Sequence, residues 1–331
     1  SAKLIPDPYL TPPTWLARQD LVPRAVDEMW HATLNTRGEM INATSPSLIT
    51  AAMRRVLASV SAGASPAGSI ALTGARIGTG SLSVSPFYEA RNSGTDWYST
   101  LTAQSVSVNP LTGIVGFSNV WEASERLPAA ADRAIFFGDT DGVAREFNAT
   151  NVNSLERLCD NPVVGMSRCT ADQLEALGGA TDLTLDQAVN YLRGEQSLEA
   201  ERFPNGRLRF RTTRLGDIVN ASPVVSAPTD DYGYRTLPGT LGTSYATFMT
   251  AKSNAASTEF RRTMVYAGAN DGMLHGFDGR TTAADGGVER FGFIPRSVMG
   301  HMGNLLFPYD AAASGDQRFQ HRYYVDGPLV V

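Results

Sequence analysis

The chain has 331 residues, a formal net charge of −5 at pH 7, 42% hydrophobic residues and only 18% charged ones. A negative balance gives a nucleic-acid partner no charge to drive association. No apolar run approaches the roughly 18 residues of a membrane-spanning helix, and the length suffices for one to three domains with a sizeable core.

The start is Pro-rich (Pro6, Pro8, Pro12, Pro13) and reads as extended. Two amphipathic helices are predicted next. Over residues 24–36 the apolar positions are Val26, Met29, Trp30 and Leu34, with Gly38 just past the end. The second helix has Ser45 as N-cap and Pro46 at its first position. Its apolar Ile49, Ala52, Met53, Val56, Leu57 and Val60 recur at spacings of three and four. Such stripes serve core or domain packing; a membrane-surface role is the alternative. AGASPAG at 62–68 reads as a linker.

The period then changes from helix to strand. SIALTGA, SPFYEA, WYSTLTAQSVSV and RAIFFG are short, rich in aromatic and β-branched residues, and separated by Gly, Pro, Asn and Asp. The region reads as mainly β, and helix is predicted to return only in a middle insertion, at 171–177 and 185–193. Cys159 and Cys169 precede that helical block in LCDNPVVGMSRC. With no CxxC and no neighbouring His the pair is a poor zinc site. A local disulfide is preferred over two free thiols, and it would place the protein outside the cytoplasm.

A repeat organises the rest. IFFGDTDGVAREFNA at 135–149 lies over VYAGANDGMLHGFDG at 265–279 without a gap. Gly138, Asp141, Gly142 and Phe147 fall on Gly268, Asp271, Gly272 and Phe277. A repeated strand, Asp-Gly turn, strand unit is how a propeller blade presents itself. The separation of the two copies calls for an insertion, an intervening blade, or both, and 151–214 is the natural insertion. Asp141-Gly142 and Asp271-Gly272 are read as structural hairpin turns, with Phe147 and Phe277 in the core.

Chemistry-bearing motifs are sparse. GDTDG offers Asp139 and Asp141, but Gly142 comes too soon for an EF-hand loop and Thr150 stands where the closing acid belongs. None of His31, His275, His301 and His321 is paired at ligand spacing, so satisfied packing histidines are the default. No GxSxG, Walker loop or HExxH occurs. RLRFRTTR, with Arg207, Arg209, Arg211 and Arg214, reads as a solvated strand edge, with an anion or partner patch as the alternative. The sequence opens at Ser1 without a signal-like segment and stops at Pro328-Leu-Val-Val331 in a strand pattern, which reads as a piece of a longer chain.

Several phrases together resemble the PilY family of type IV pilus biogenesis factors and tip adhesins: DEMWHATLNTRGEMINATSP, AVNYLRGE, RLGDIVNASPVV, VYAGANDGMLHGFDG and HRYYVDG. The resemblance runs from about residue 22 to the end. It implies a modified, quinoprotein-like β-propeller, incomplete in this chain. Residues 1–62 would connect it to an upstream von Willebrand A-like domain, and 63–331 would hold the first part of the propeller. It further implies a non-enzymatic protein, secreted through the periplasm to the outer membrane and pilus tip. There it would bind minor pilins and a host or abiotic surface ligand, and support pilus extension, twitching and adherence. The family's calcium loop would lie in later blades beyond Val331, and no cofactor is evident here. Two other classes compete: a quinoprotein dehydrogenase and a glycan-binding propeller. The dehydrogenase class carries a vicinal cysteine pair, whereas these cysteines stand ten apart, and Trp15, Trp30, Trp97 and Trp121 fall outside the Asp-Gly hairpins.

Overall fold

The structure is a computed structural model that describes residues 71–72, 82–91, 96–109, 111–112, 114–159, 169–173, 183–204, 206–282, 284–307 and 319–330. The two helices expected at 24–36 and 45–60, the linker, His31, Trp15 and Trp30 lie outside the described residues, as do most of SIALTGA and the centre of the cysteine loop.

Two sheets dominate. The first is an antiparallel meander of β1 (Ala71–Leu72), β2 (Leu82–Arg91), β3 (Asp96–Val108) and β4 (Val115–Glu122), hydrogen-bonded in chain order. Alternation along β2 and β3 puts Leu82, Val84, Leu101 and Ala103 on a buried face. The second sheet has the order β6-β5-β10-β9-β8-β7. Its strands are β5 (Ile135–Gly138), β6 (Ala144–Glu146), β7 (Val224–Ser226), β8 (Met264–Gly268), β9 (Leu274–Asp278) and β10 (Glu289–Ile294). Strands β7 to β10 form a four-stranded antiparallel unit, the pattern of one blade. The hairpin β5–β6 joins it through a parallel pairing of β5 with β10, Ile135 opposite Gly292 and Phe137 opposite Ile294. Neither sheet closes among the described residues.

The two copies of the repeated unit are therefore hairpins of one sheet. Among the described residues no further strand pair separates them. Between β6 and β7 come α1 (Ala149–Val152), the cysteine loop and α2 (Leu185–Leu192), and between β7 and β8 comes α3 (Thr240–Ser253). Helix α2 starts in a reciprocal capping box: the Gln187 N–H donates to Thr184 Oγ1 (3.2 Å), and the Thr184 N–H to Gln187 Oε1 (3.1 Å). Its Ala188, Val189, Tyr191 and Leu192 are buried.

Two clusters make the core. One lies between the sheets, where Leu82, Val84, Leu101, Ala103 and Trp121 meet Leu215, Ile218, Val265, Ala267 and Phe277. The other lies on the far side of the second sheet, where Ile135, Phe137 and Phe147 pack with α2, the cysteine pair and residues 298–306. Burying one such side chain contributes on the order of 2 kcal/mol.

Two expectations are corrected. Helix is not confined to the middle insertion, because α3 runs for 14 residues outside it. Its sequence, TLGTSYATFMTAKS, has no apolar stripe and is full of weak helix formers. Its hydroxyls instead satisfy the helix's own carbonyls: Ser244 donates to Thr240 O (2.7 Å), and Thr247 to Thr243 O (3.0 Å). RLRFRTTR is not a solvated edge either. Arg209 and Arg211 are buried: Arg211 Nε donates to the buried Glu199 carboxylate (2.8 Å) and its guanidinium lies 3.7 Å from the Tyr191 ring centroid. Arg209 lies 4.2 Å from the ring centroid of Phe319. A paired and stacked Arg can be buried where a lone one cannot.

Candidate functional site

The second Asp-Gly hairpin carries a buried charge cluster. Gly272 holds φ +91°, the left-handed value that the turn demands, and Gly142 holds +83° at the matching place in β5–β6. Past the turn, β9 points His275 inward, with no solvent exposure. Its Nδ1 lies 2.7 Å from Glu289 Oε1, and its Nε2 lies 3.1 Å from both oxygens of Asp271. Glu289, at the start of β10, receives two hydrogen bonds from Arg133, from Nε (2.6 Å) and Nη2 (2.7 Å). Arg133 Nη1 donates to the Arg193 carbonyl (2.7 Å), and Arg193 donates to the carbonyls of Ala130, Phe147 and Arg133. The backbone N–H groups of Gly216 and Met273 complete the Asp271 carboxylate.

With a carboxylate at each ring nitrogen, only the doubly protonated imidazole satisfies both. Burial by itself would push the His275 pKa down. Asp271 and then Glu289 outweigh it and raise the value to about 9. Burial would likewise raise Glu289, but the hydrogen bonds and charge of Arg133, then those of His275, hold it below the usual carboxylate range. Asp271 shifts down as well, against burial and chiefly through His275. The cluster is two cations against two carboxylates. An imidazolium with both N–H groups engaged has no lone pair to offer as a base. Its role here is to tie the turn, β10 and residues 130–133 together.

The neighbouring turn residue makes a second tie. Asn270 Nδ2 donates to Asp217 Oδ2 (2.7 Å), and Asn270 Oδ1 accepts the Tyr324 N–H (2.9 Å). His321 Nε2 lies 2.8 Å from the same Asp217 oxygen, and its ring stacks on Trp97 at 4.0 Å between centroids. Residues 321–325 thus cross the hairpin as a strap. Gly268 lets them approach, since a Cβ there would overlap the Val325 carbonyl.

The first hairpin repeats the logic on the surface. Arg145 takes the place of His275, four residues after its turn aspartate, and pairs with Asp141 and Asp139. Asp141 is exposed where Asp271 is enclosed. Asp139 also pairs with Arg157, so both carboxylates of GDTDG serve guanidinium groups. A basic residue four positions after the turn aspartate was the sequence signal for the buried cluster. Glu289, Arg133, Arg193 and Asp217 gave none, because they come from four separate segments.

Cys159 and Cys169 form a disulfide with both residues buried. A 3₁₀ turn, Met302–Leu306, lies against it, and a Cβ at Gly303 would overlap the Cys159 sulfur. Trp121 packs on Gly286 and Gly287 and donates its indole N–H to the Arg280 carbonyl (2.9 Å). Among the described residues, no three His, Cys, Asp or Glu side chains are grouped to hold a metal ion, and no helix is long and apolar enough to cross a membrane.

Comparison with known proteins gives one answer. Residues 215–331 match the PilY1 beta-propeller domain. The chain is 31% identical over 336 residues to a type IV pilus biogenesis factor PilY1 homolog of Xylella fastidiosa, covering 91% of this chain and 21% of that protein. It is 30% identical over 323 residues to type IV pilus biogenesis factor PilY1 of Pseudomonas aeruginosa, covering 94% of this chain and 24% of that protein. A further Xylella fastidiosa PilY1 homolog is 40% identical over 143 residues, 43% of this chain and 10% of that protein. The chain thus spans about a quarter or less of the length of these relatives. No solved structure matches it significantly. The matched segment holds the whole β7–β10 blade, its Asp-Gly hairpin and the strap over it, and the chain belongs to the PilY1 family, with a β-propeller domain of that type.

Proposed function

We propose that this chain is a binding and assembly module of a type IV pilus biogenesis factor. It engages minor pilins and a surface ligand at the pilus tip, outside the cytoplasm, and supports extension, twitching and adherence without catalysing a reaction. The observation that carries this reading is the alignment of more than nine-tenths of this chain with a part of proteins named as pilus biogenesis factors. Two features support it. The buried ionisable groups of the hairpin region are spent on one another, as a scaffold requires. A buried disulfide suits an oxidising compartment.

The test is saturable binding of the full chain to purified soluble domains of the minor pilins of the same bacterium. Binding is the expected result, and none to any of them would overturn the pilin reading. Quinone absorbance that co-purifies with the chain would instead restore the dehydrogenase reading.

A further inference from the structure

Sheet edges are templates for unwanted pairing, and proteins blunt them by shortness or charge. Three of the four edges described here are blunted. Strand β1 has two residues, and β6 and β7 have three each, with Arg145 and Glu146 on β6. The fourth is not. Strand β4 has eight residues, and from Trp97 to Trp121 the sequence carries no charged residue. Its outer half projects past the core: Val115, Gly116, Phe117, Ser118 and Asn119 are exposed or half-exposed, so both faces of the strand meet solvent. Phe117 is 55% exposed, and Leu111 and Ile114 at the hairpin tip are 94% and 68% exposed.

The backbone is oriented for pairing. The Asn109 N–H donates to the Ile114 carbonyl (2.9 Å), which makes 109 and 114 a hydrogen-bonded pair. By antiparallel alternation, Val115 and Phe117, opposite Val108 and Val106, turn their N–H and C=O groups away from β3.

We infer that the outer edge of β4 accepts an extended, uncharged β-strand from a pilus subunit, adding it to the sheet by backbone pairing. The inference rests on the pilin reading above. It takes its chemistry from the edge: main-chain bonds supply the attraction, and a charge-free surface on both faces favours a strand that brings no charge to desolvate.

The experiment measures binding of the full chain and its variants to the soluble minor pilin domains. Phe117→Lys places a gatekeeper charge on the edge. Phe117→Pro deletes an outward N–H without touching the β3 ladder. Leu241→Lys, on the exposed face of α3, is the control. Both Phe117 variants are expected to keep the melting temperature and to weaken pilin binding by about tenfold or more, with the control unchanged. Pilin binding that is unaffected by either Phe117 variant would overturn the edge inference and leave the pilin reading standing. No binding by the parent chain would overturn both. Self-association of the chain that Phe117→Lys abolishes, with pilin binding intact, would assign the edge to a second copy and overturn the inference.

Discussion

Replacing Glu289 by Gln tests the buried cluster directly. The substitution keeps the shape but removes one of two carboxylates, leaving Arg133 and His275 with an uncompensated charge. The Glu289 side chain is 1% exposed and the His275 side chain fully buried, so solvent screens neither. Removing one partner of a buried ion pair costs about 3–5 kcal/mol. A second magnitude comes from the imidazole, which Asp271 and then Glu289 hold in its charged form. Its pKa is raised from 6.5 to about 9, which corresponds to roughly 3 kcal/mol of stabilisation of the charged ring. The pH dependence has a definite sign. A raised folded pKa contributes stability that is fully present below pH 6.5 and is lost as pH rises through 9. Glu289, with its folded pKa lowered, contributes stability that is present above its unfolded value of 4.5 and lost as pH falls toward its folded value. Urea unfolding from pH 5 to 10 should show the native chain most stable near pH 5–6.5 in this contribution. Glu289→Gln should be weaker by about 3–5 kcal/mol at pH 6, and by less at pH 10, where the ring is neutral in both. A cost below about 1 kcal/mol at pH 6, or a cost that does not shrink with rising pH, would refute the argument that the cluster is a closed charge network.

Other expectations follow from the same packing. Gly272→Ala should destabilise more than Gly142→Ala, although both hold a positive φ: the first methyl would meet the Met302 sulfur and Val298, the second open solvent. Thermal melts should show about 1 kcal/mol for Gly142 and about 1 kcal/mol or more beyond that for Gly272; equal losses would refute the difference. Replacing both cysteines by Ser should cost about 3 kcal/mol, the loop-closure value for ten residues. Guanidinium unfolding of the oxidised and substituted chains checks it. Asn270→Ala removes the acceptor of the Tyr324 N–H, so hydrogen exchange at Tyr324 should accelerate well before the β8 and β9 amides respond. Simultaneous acceleration of all three segments would mean that the strap is not a separate unit.

Strands β2, β3, β5, β6, β8 and β9, the two Asp-Gly turns, helix α2 and the disulfide pair were legible in sequence because each depends on local chemistry, whereas β4, β7 and β10 were not singled out. Alternation, a positive-φ glycine and a short cysteine spacing act within about ten residues. The family, too, could be read from phrases in order. Helix α3 was hidden, because its hydroxyls hold the helix in a way that no hydrophobic period records. The burial of Arg209 and Arg211 was hidden because it depends on Glu199, Tyr191 and Phe319, brought from elsewhere.

By itself, the sequence determined that this is a charge-poor, mainly β chain with a duplicated hairpin, for periodicity and turn chemistry are encoded residue by residue. The tertiary structure alone decided what each copy of the hairpin became. Both carry a basic residue four places after the turn aspartate. In one copy β10, residues 216–217 and the strap at 324 close over the turn, so the pair is desolvated and must be balanced by Glu289 and Arg133. In the other copy the turn aspartate and its arginine stay exposed, and water screens the same pair. Burial, not composition, sets the strength of a charge pair, and burial is a property of the assembled fold.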